Sequence, residues 1–165
     1  MSQSTDRIEK VVTLNAPRER VWKAISDSRE FGQWFGAEID VAFEPGARLS
    51  ARIVPTEVDP EVAKLQEPYR GVAFEIVVER VEPPRLLSFR WHPWAEDLDA
   101  IQDDPMTLVT FELEAAEGGT RLTVTESGFD ALPEARRAEA YEMNEGGWEH
   151  QGRVLATYLE RTSED

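Results

Sequence analysis

The sequence contains no cysteine, only two histidines, and far fewer basic than acidic residues. Without cysteine the chain forms no disulfide and has no thiolate nucleophile or thiolate metal ligand. With 18 Lys and Arg against 33 Asp and Glu, its formal net charge is -15. That charge opposes association with nucleic acid and with anionic membranes, because both present negative surfaces. We therefore expect no nucleic-acid partner and no membrane partner.

The sequence also lacks a long uncharged apolar run. A membrane-spanning helix needs about 20 predominantly apolar residues in succession, and no stretch of this chain approaches that length. The absence of cysteine is consistent with a reducing compartment, so we expect a cytoplasmic protein. The 165 residues have an ordinary globular composition, with 41% hydrophobic residues, and we predict one domain over residues 1–165.

Metal, cofactor and nucleophile motifs are also missing. His92 and His150 lie far apart, whereas zinc sites use closely spaced His or Cys ligands. Strand alternation predicts that His92, directly after Trp91, points outward. The alternative is that Pro93 bends it back toward the following loop. Residues 92–106 form a predicted acidic surface loop without calcium-loop spacing, and Ser127 lacks the flanking glycines of a nucleophile elbow. We predict no metal, no cofactor and no recognisable catalytic group.

Hydrophobic periodicity predicts a series of strands that ends in a long helix. Apolar residues that alternate along the chain predict strands, whereas apolar residues three and four apart predict helices. The predicted strands are residues 7–14, 39–43, 48–54, 71–81, 85–91, 107–114 and 120–127. Two short helices are predicted after the first strand, one from Arg18 to a terminus near Asp27 and one over residues 29–35. The long helix follows Pro133.

The connections between these elements predict an antiparallel sheet. A turn at Pro45 and Gly46 is predicted to pair the second and third strands, and a hairpin at Gly118 joins the last two. One turn of helix is predicted at residues 61–65. Each strand has a single apolar face, so the sheet needs cover on one side. The terminal helix is the only predicted element long enough to provide it.

Short motifs are spread over nearly the whole chain: Asn15-Ala16-Pro17 before Val21-Trp22, Phe31-Gly32-Gln33-Trp34-Phe35, residues 84–91, Glu126-Ser127-Gly128-Phe129 and Gly147-Trp148. They resemble the SRPBCC superfamily of START-like, helix-grip proteins, which includes polyketide cyclases, Bet v allergens and lipid-binding START domains. The chain is most similar to bacterial homologues of the C-terminal domain of the heat-shock-protein-90 ATPase activator. The resemblance implies an α+β helix-grip fold, in which a curved antiparallel sheet of about seven strands holds the terminal helix over a cavity.

The inward faces of the predicted elements, together with an aromatic cluster in the second short helix, predict the lining of this cavity. The predicted ligand-binding residues are Trp34, Phe35, Phe74, Ile76, Phe89, Trp91, Phe111, Glu126, Tyr141, Asn144 and Trp148. The alternative is that these rings pack against one another and fill the core. The sequence leaves both open.

Glu126 is the most informative polar residue in this set. Alternation along its strand places the carboxylate on the inward face, where an unpaired charge is costly and a raised pKa is expected. Asn144, one helical turn before Trp148, is placed to donate a hydrogen bond to it. Glu126 is then a ligand anchor or a general base. The alternative is that the strand ends at Ser127 and the carboxylate reaches solvent.

The predicted terminal helix contains three glycines, which are unfavourable in a helix interior. Gly146 and Gly147 each cost about 1 kcal/mol relative to alanine in a helix interior, which predicts close packing on the sheet or a bend. Gly152 stands where the relatives carry a bulky aliphatic residue. In a straight helix its missing side chain leaves room beneath it.

Three functions remain open from the sequence. The leading hypothesis is binding of a hydrophobic or aromatic small molecule in the cavity, without established catalysis. The second is a protein-interaction module like the chaperone ATPase activator, with a chaperone or a second copy as partner. The third is a cyclase-like or hydrolase-like enzyme that uses Glu126 as its base.

Overall fold

The computed structural model describes residues 7–39, 41–93 and 105–162, and its fold is α+β. The strands are β1 (Arg7–Leu14), β2 (Ala37–Glu38), β3 (Arg48–Ile53), β4 (Ala73–Glu82), β5 (Leu86–Trp91), β6 (Thr107–Ala116) and β7 (Gly119–Ser127). The helices are α1 (Arg18–Ser26), α2 (Ser28–Phe35), α3 (Pro60–Gln66) and α4 (Glu134–Thr162), with short 3₁₀ turns at Glu67–Tyr69 and Phe129–Ala131. Most of the predicted loop at 92–106 lies outside the described residues. The predicted order of strands and helices is confirmed.

One antiparallel sheet contains all seven strands, in the order β1-β7-β6-β5-β4-β3-β2. Its first strand in sequence, β1, forms one edge and pairs with β7. The next strand, β2, forms the opposite edge. Helices α1 and α2 therefore connect the two edges of the sheet, and they lie between β1 and β2 in the chain.

Local signals explain where α2 begins and ends. The Asp27 side chain accepts the backbone N–H groups of Arg29 at 2.9 Å and Glu30 at 3.2 Å, which caps the first turn. The helix ends at Gly36, whose φ of 95° lies in the left-handed region that favours glycine. These two residues fix the length of α2, and with it the position of Phe35 in its last turn.

The predicted strand at residues 39–43 is wrong. The strand before the Pro45 turn ends at Glu38 and pairs with β3 over only two residues. The alternation that suggested a longer strand is real, because Ile39 and Phe43 are buried and Val41 is 52% exposed. The Phe43 side chain is anchored by packing on a neighbouring ring of α2 rather than by strand pairing. The alternation of apolar residues therefore indicates which side chains are buried here, and it does not indicate a paired strand.

Other local predictions hold, except for one strand pairing. Helix α3 covers the turn of helix expected at residues 61–65. The hairpin between β6 and β7 turns at Gly118, which has a φ of 82°. The chain does turn at Pro45 and Gly46, with the Ala47 N–H bonded to the Glu44 carbonyl at 2.9 Å. The predicted pairing of two strands across this turn is wrong, because β2 pairs instead with the far end of β3, Ala37 opposite Ile53. Residues that favour a particular turn conformation therefore located the turns correctly.

Aromatic side chains fill much of the space between the sheet and the helices. The Phe31 ring of α2 lies 6.3 Å from the Phe89 ring of β5 and 6.3 Å from the Phe111 ring of β6. Trp34 is 1% exposed and donates its indole N–H to the Ala24 carbonyl at 2.9 Å. Each such ring contributes about 1.5–3 kcal/mol by leaving water. The predicted alternative of a filled core therefore describes this part of the interior.

Helix α4 lies across the sheet and is fastened to α2 near its C-terminal end. The buried Tyr158 donates its hydroxyl to Glu30 Oε1 at 2.7 Å. Burial, followed by the hydrogen bond to the Glu30 carboxylate, raises the pKa of Tyr158 to about 12. None of the helices in the described part of the chain is both long and apolar enough to span a lipid bilayer.

The room predicted beneath Gly152 is bounded by Val12 and takes a methyl group only in contact with that side chain. A Cβ added to Gly152 would lie 3.8 Å from the Cβ of Val12 on β1, an ordinary van der Waals contact. Helix α4 simply approaches the edge strand closely at this point. Gly152 lines neither the pocket of about 150 Å³ nor the groove of about 730 Å³ described below.

Thr120 provides a test of how β7 is joined to the start of α1. Its buried hydroxyl donates to the Ala16 carbonyl at 2.7 Å. Thr120→Val keeps the shape and removes the donor, so we expect a loss of about 1–2 kcal/mol in the free energy of unfolding. Urea denaturation measures it. Thr123→Val, on the other face of the same strand, is the matched control, and an equal loss in both variants would contradict this assignment.

Candidate functional site

A fully buried carboxylate lies at the centre of the candidate site. Glu126 on β7 has 0% relative exposure. Its strand continues the alternation that buries Leu122 and Val124, so the carboxylate faces α4. The expectation that the strand end lets Glu126 reach solvent is therefore wrong. The inward placement predicted from alternation is confirmed.

Two donors reach Glu126 from the sheet. The Trp91 indole N–H donates to Oε2 at 2.9 Å, and the Thr107 hydroxyl donates to the same oxygen at 2.5 Å. The strand register explains this, because Trp91 lies opposite Thr107 and Glu126 lies opposite Val109. Thr107 is thus the diagonal neighbour of Glu126 on the same face of the sheet.

Two more donors reach Glu126 from α4. Asn144 places its Nδ2 3.0 Å from Oε1 and 3.1 Å from Oε2, and the Trp148 indole N–H donates to Oε1 at 2.8 Å. The two residues are four apart, so they lie one above the other on the same helix face. The predicted contact from Asn144 is confirmed. The Trp91, Thr107 and Trp148 donors were missed, although a buried indole N–H usually needs an acceptor.

Burial sets the protonation behaviour of this carboxyl group. Removal from water raises the pKa of Glu126, and the hydrogen bonds from Thr107, Trp91, Trp148 and Asn144 act in the opposite direction without cancelling it. The four neighbours all donate, so they match the ionised form. Burial therefore destabilises the ionised carboxylate, and the four hydrogen bonds partly offset that cost.

Three aromatic rings surround a small pocket above this carboxylate. The Trp91 and Trp148 rings stack with centroids 5.6 Å apart, and Phe35 lies 5.7 Å from Trp91 and 6.1 Å from Trp148. We call these the three-ring cluster. The pocket has a volume of about 150 Å³ and is lined by Phe35, Trp91, Asn144, Gly147, Trp148 and Gln151. It lies where the end of α2, the end of β5 and the middle of α4 meet.

The structure places the predicted ligand-binding residues in three groups. Phe35, Trp91, Asn144 and Trp148 line the pocket, and Glu126 lies behind them. A second group belongs to the packed interior or its margin: Trp34, Phe74, Ile76, Phe89 and Phe111. Tyr141 lies apart, with its hydroxyl donating to the Arg7 carbonyl at 3.1 Å and its ring 5.3 Å from Phe129. The binding role of all eleven residues stays a prediction.

The two consecutive glycines of α4 do not pack closely on the sheet. A Cβ added to Gly146 or to Gly147 would meet nothing within 4 Å. Of the two predicted reasons for these glycines, close packing is therefore wrong, since neither backbone approaches a neighbour that a methyl group would displace. A bend in the helix stays a prediction. Gly147 lines the pocket, whereas Gly146 does not.

Gln151 contributes a polar group that sequence reasoning missed. Its Nε2 donates at 2.8 Å to the backbone carbonyl of Phe35, the last residue of α2. Its Oε1 is buried and accepts no hydrogen bond from the part of the chain that the structure describes. Gln151 lies one helical turn beyond Gly147 on the face that lines the pocket, and this spacing was the available signal.

A larger surface groove of about 730 Å³ lies between α2, the segment after β3 and the end of α4. Its lining carries Arg29 and Arg161 together with Glu38 and Glu57. Charges of both signs are spread along this groove. The smaller pocket is instead lined by Trp91, Asn144 and Trp148, whose donors converge on the Glu126 carboxylate. We therefore assign the candidate site to the smaller pocket.

His92 is buried, so the prediction that it points outward is wrong. Its exposure is 6%. Trp91 is the last residue of β5, and alternation no longer applies once the strand has ended. Within residues 7–39, 41–93 and 105–162, no group of three or more His, Cys, Asp or Glu side chains is arranged to hold a metal ion.

The curved sheet with a long helix across it defines a helix-grip protein of the SRPBCC type. The family described as Activator of Hsp90 ATPase homolog 1-like protein matches residues 15–160. The chain belongs to this family. A search of the curated proteins found no significant match.

Solved structures share this fold over nearly the whole chain. The protein MLL2253 from Mesorhizobium loti is 24% identical, with a TM-score of 0.70, over 94% of this chain and 98% of that one. A protein from Arthrobacter aurescens is 18% identical, with a TM-score of 0.70, over 97% of this chain and 90% of that one. DynU16, a protein in the dynemicin biosynthetic locus, is 29% identical, with a TM-score of 0.64, over 94% of this chain but 47% of that one.

The raised pKa of Glu126 predicts a specific dependence of stability on pH. The folded state holds the proton more tightly than the unfolded state, so the stabilising contribution is complete below the ordinary carboxyl pKa of 4.5 and is lost as pH rises through the folded value. Relative to Glu126→Gln, the wild type should lose up to about 1.4 kcal/mol per pH unit within that window. Urea denaturation from about pH 4.5 to about pH 8 measures the difference.

Glu112→Gln, which removes one exposed carboxylate from β6, controls for the change in net charge. If the wild-type and Glu126→Gln curves stay parallel over the whole pH range, the folded state does not raise the pKa of this carboxyl group.

The open space around the two glycines predicts that alanine stabilises α4. Gly146→Ala and Gly147→Ala should each raise the free energy of unfolding by about 1 kcal/mol, because alanine loses less backbone freedom and neither methyl group meets a neighbour. Urea denaturation measures both. A loss of stability in either variant would show that its backbone is packed after all.

Proposed function

We propose that this protein binds a small hydrophobic or aromatic molecule in the pocket lined by the three-ring cluster, between the sheet and α4. The observation that carries the proposal is the combination of an aromatic pocket with a buried carboxylate directly behind it. Phe35, Trp91 and Trp148 offer ring faces and edges, which attract other aromatic rings. Small-molecule sites are typically apolar recesses with a few fixed polar groups.

The role we give to Glu126 is to hold the pocket walls rather than to touch the ligand. Its carboxylate ties Trp91 on β5 to Trp148 and Asn144 on α4. Both indole rings are thereby fixed in orientation before a ligand arrives. A preorganised pocket binds more tightly because fewer side chains lose freedom on binding.

The same geometry argues against Glu126 as a general base. A base must lie within hydrogen-bond distance of the proton that it removes. Both oxygens of Glu126 already accept hydrogen bonds from protein donors, and the residue has no exposed surface. We therefore place ligand binding ahead of a cyclase-like or hydrolase-like reaction.

The comparisons support a small-molecule role in one respect. DynU16 is encoded in a biosynthetic locus, a setting in which proteins handle small molecules. The family description instead names an activator of a chaperone ATPase, so a chaperone partner is the second candidate. That partner, self-association and a cytoplasmic location stay predictions.

Ligand binding can be tested by following the indole N–H signals of ¹⁵N-labelled protein by NMR while benzene, phenol, indole or a short fatty acid is added. We expect at least one aromatic probe to shift the Trp91 and Trp148 signals, because their rings line the pocket. The Trp34 signal should move least, since that indole is buried and bonded to the Ala24 carbonyl.

Matched variants locate the binding. Phe35→Leu removes a ring from the pocket wall and should weaken aromatic probes several-fold, whereas Phe43→Leu removes a buried ring outside the pocket and should not. No shift with any probe, or equal shifts for Trp34 and Trp148, would contradict the proposed function.

A further inference from the structure

We propose that the pocket selects a small aromatic ligand that carries a positive charge, because the Glu126 carboxylate lies behind the pocket wall without a countercharge. This inference rests on the proposed function and adds the charge of the ligand. It requires no contact between the ligand and Glu126, since the field of a charge acts across the side chains that separate them.

The neighbours of the carboxylate do not neutralise it. Glu126 is fully buried, and the four side chains that donate to it are all neutral: Trp91, Thr107, Asn144 and Trp148. Hydrogen bonds from neutral donors stabilise the ionised form, but they leave its net charge in place. Among the described residues, no charged side chain contributes to the shift of the Glu126 pKa. The ionised site therefore keeps one net negative charge.

The strands and the helix packed around Glu126 direct their own charges elsewhere. The residue opposite it on β1 is Ile8, and the residue opposite it on β6 is Val109. Lys10 lies on the same face of β1 as Ile8, but its ammonium nitrogen lies 4.0 Å from a Glu149 oxygen on α4. Other titratable groups of these elements have their own contacts: Arg7 with Glu9, Arg90 with Glu79, and the Tyr141 hydroxyl with the Arg7 carbonyl. His92, which follows Trp91, is not among the groups that shift the Glu126 pKa.

The pocket wall has no charge of its own. All the side chains that line it are neutral: Phe35, Trp91, Asn144, Gly147, Trp148 and Gln151. Two of them, Trp91 and Trp148, also hold the carboxylate, with N–H to oxygen distances of 2.9 and 2.8 Å. The negative charge is thus one indole side chain away from the pocket. In a protein interior, where the dielectric constant is low, that charge acts more strongly than it would in water.

Two further features act in the same direction. Aromatic side chains such as Phe35, Trp91 and Trp148 attract cations as well as apolar groups. The formal net charge of -15 attracts cations to the whole molecule, although salt screens the exposed part of that charge. A ring with a cationic group is therefore favoured in this pocket, and a ring with a carboxylate is disfavoured.

Benzamidinium, benzamide and benzoate test the charge preference. The three molecules have nearly the same size and shape, but they carry a positive charge, no charge and a negative charge near neutral pH. NMR titrations that follow the indole signals of Trp91 and Trp148 give the dissociation constants. Above the Glu126 midpoint, we expect benzamidinium to bind about tenfold more tightly than benzamide, and benzamide more tightly than benzoate. This order should persist at high salt, because a buried charge is screened less than exposed charges.

A matched pair of variants assigns the preference to Glu126. Glu126→Gln keeps the size and removes the charge, so the three probes should bind with nearly equal affinity. Glu112→Gln makes the same change in net charge at an exposed position of β6 and should keep the order. The readout is the ratio of affinities, because a loosened pocket would weaken all three probes alike.

The wild type provides a second measurement that does not depend on how a variant folds. Below the Glu126 midpoint the carboxyl group is neutral, so the preference for benzamidinium over benzamide should disappear. By linkage, saturation with benzamidinium should lower the Glu126 midpoint by about one pH unit, which corresponds to the tenfold preference. A ¹³C NMR titration of the carboxyl carbon, with and without benzamidinium, measures this shift.

The outcomes separate this inference from the proposed function. If neither these probes nor benzene and phenol shift the Trp91 and Trp148 signals, the pocket binds no small ring and both proposals fall. If neutral probes bind and benzamide binds as tightly as benzamidinium, only the charge preference is overturned. If the preference survives in Glu126→Gln or below the midpoint, its assignment to Glu126 is overturned.

Discussion

The burial of one carboxylate organises the centre of this molecule. Glu126 lies on β7 with no exposed surface and joins two strands of the sheet to the long helix through four donors. Burying an unpaired carboxylate would be prohibitively costly, so the fold must bring these donors together or lose the site. Each donor in turn fixes the orientation of the side chain that carries it.

The fold provides those donors from three separate places in the chain. Trp91 ends β5, Thr107 begins β6, and Asn144 and Trp148 lie one turn apart on α4. Adjacent strands with a defined register bring the first two beside Glu126. Helix α4 can contribute the other two only while it crosses the sheet at its present position, where Tyr158 and Glu30 hold its far end against α2.

Much of the fold could be predicted from the sequence because it depends on local signals. Period-two alternation gave β1 and β4 to β7 with small errors at their ends, and the capping residue Asp27 explains the start of α2. The failure at residues 39–43 has a physical cause, since buried side chains alternate there without a paired strand. Alternation shows which side chains face the core, but strand pairing depends on distant residues.

The candidate site was predictable only in part. Alternation placed Glu126 inside, and helical spacing placed Asn144 next to it. The convergence of Trp91 and Thr107 depends on the register of three strands, which hydrophobic pattern alone does not determine. The sequence also does not show that the Gln151 amide nitrogen bonds to the Phe35 carbonyl, because the two residues are far apart in the chain. For the same reason the sequence could not distinguish a filled core from a pocket.

The most direct test of this account is a pH titration of the Glu126 carboxyl carbon by ¹³C NMR in protein labelled at glutamate, with Glu126→Gln used to assign the signal. Burial predicts a midpoint above the ordinary value of 4.5, with coincident changes in the indole N–H signals of Trp91 and Trp148, which donate to that group. A midpoint at or below 4.5, with indole signals that do not respond, would contradict a buried carboxylate that holds both rings in place.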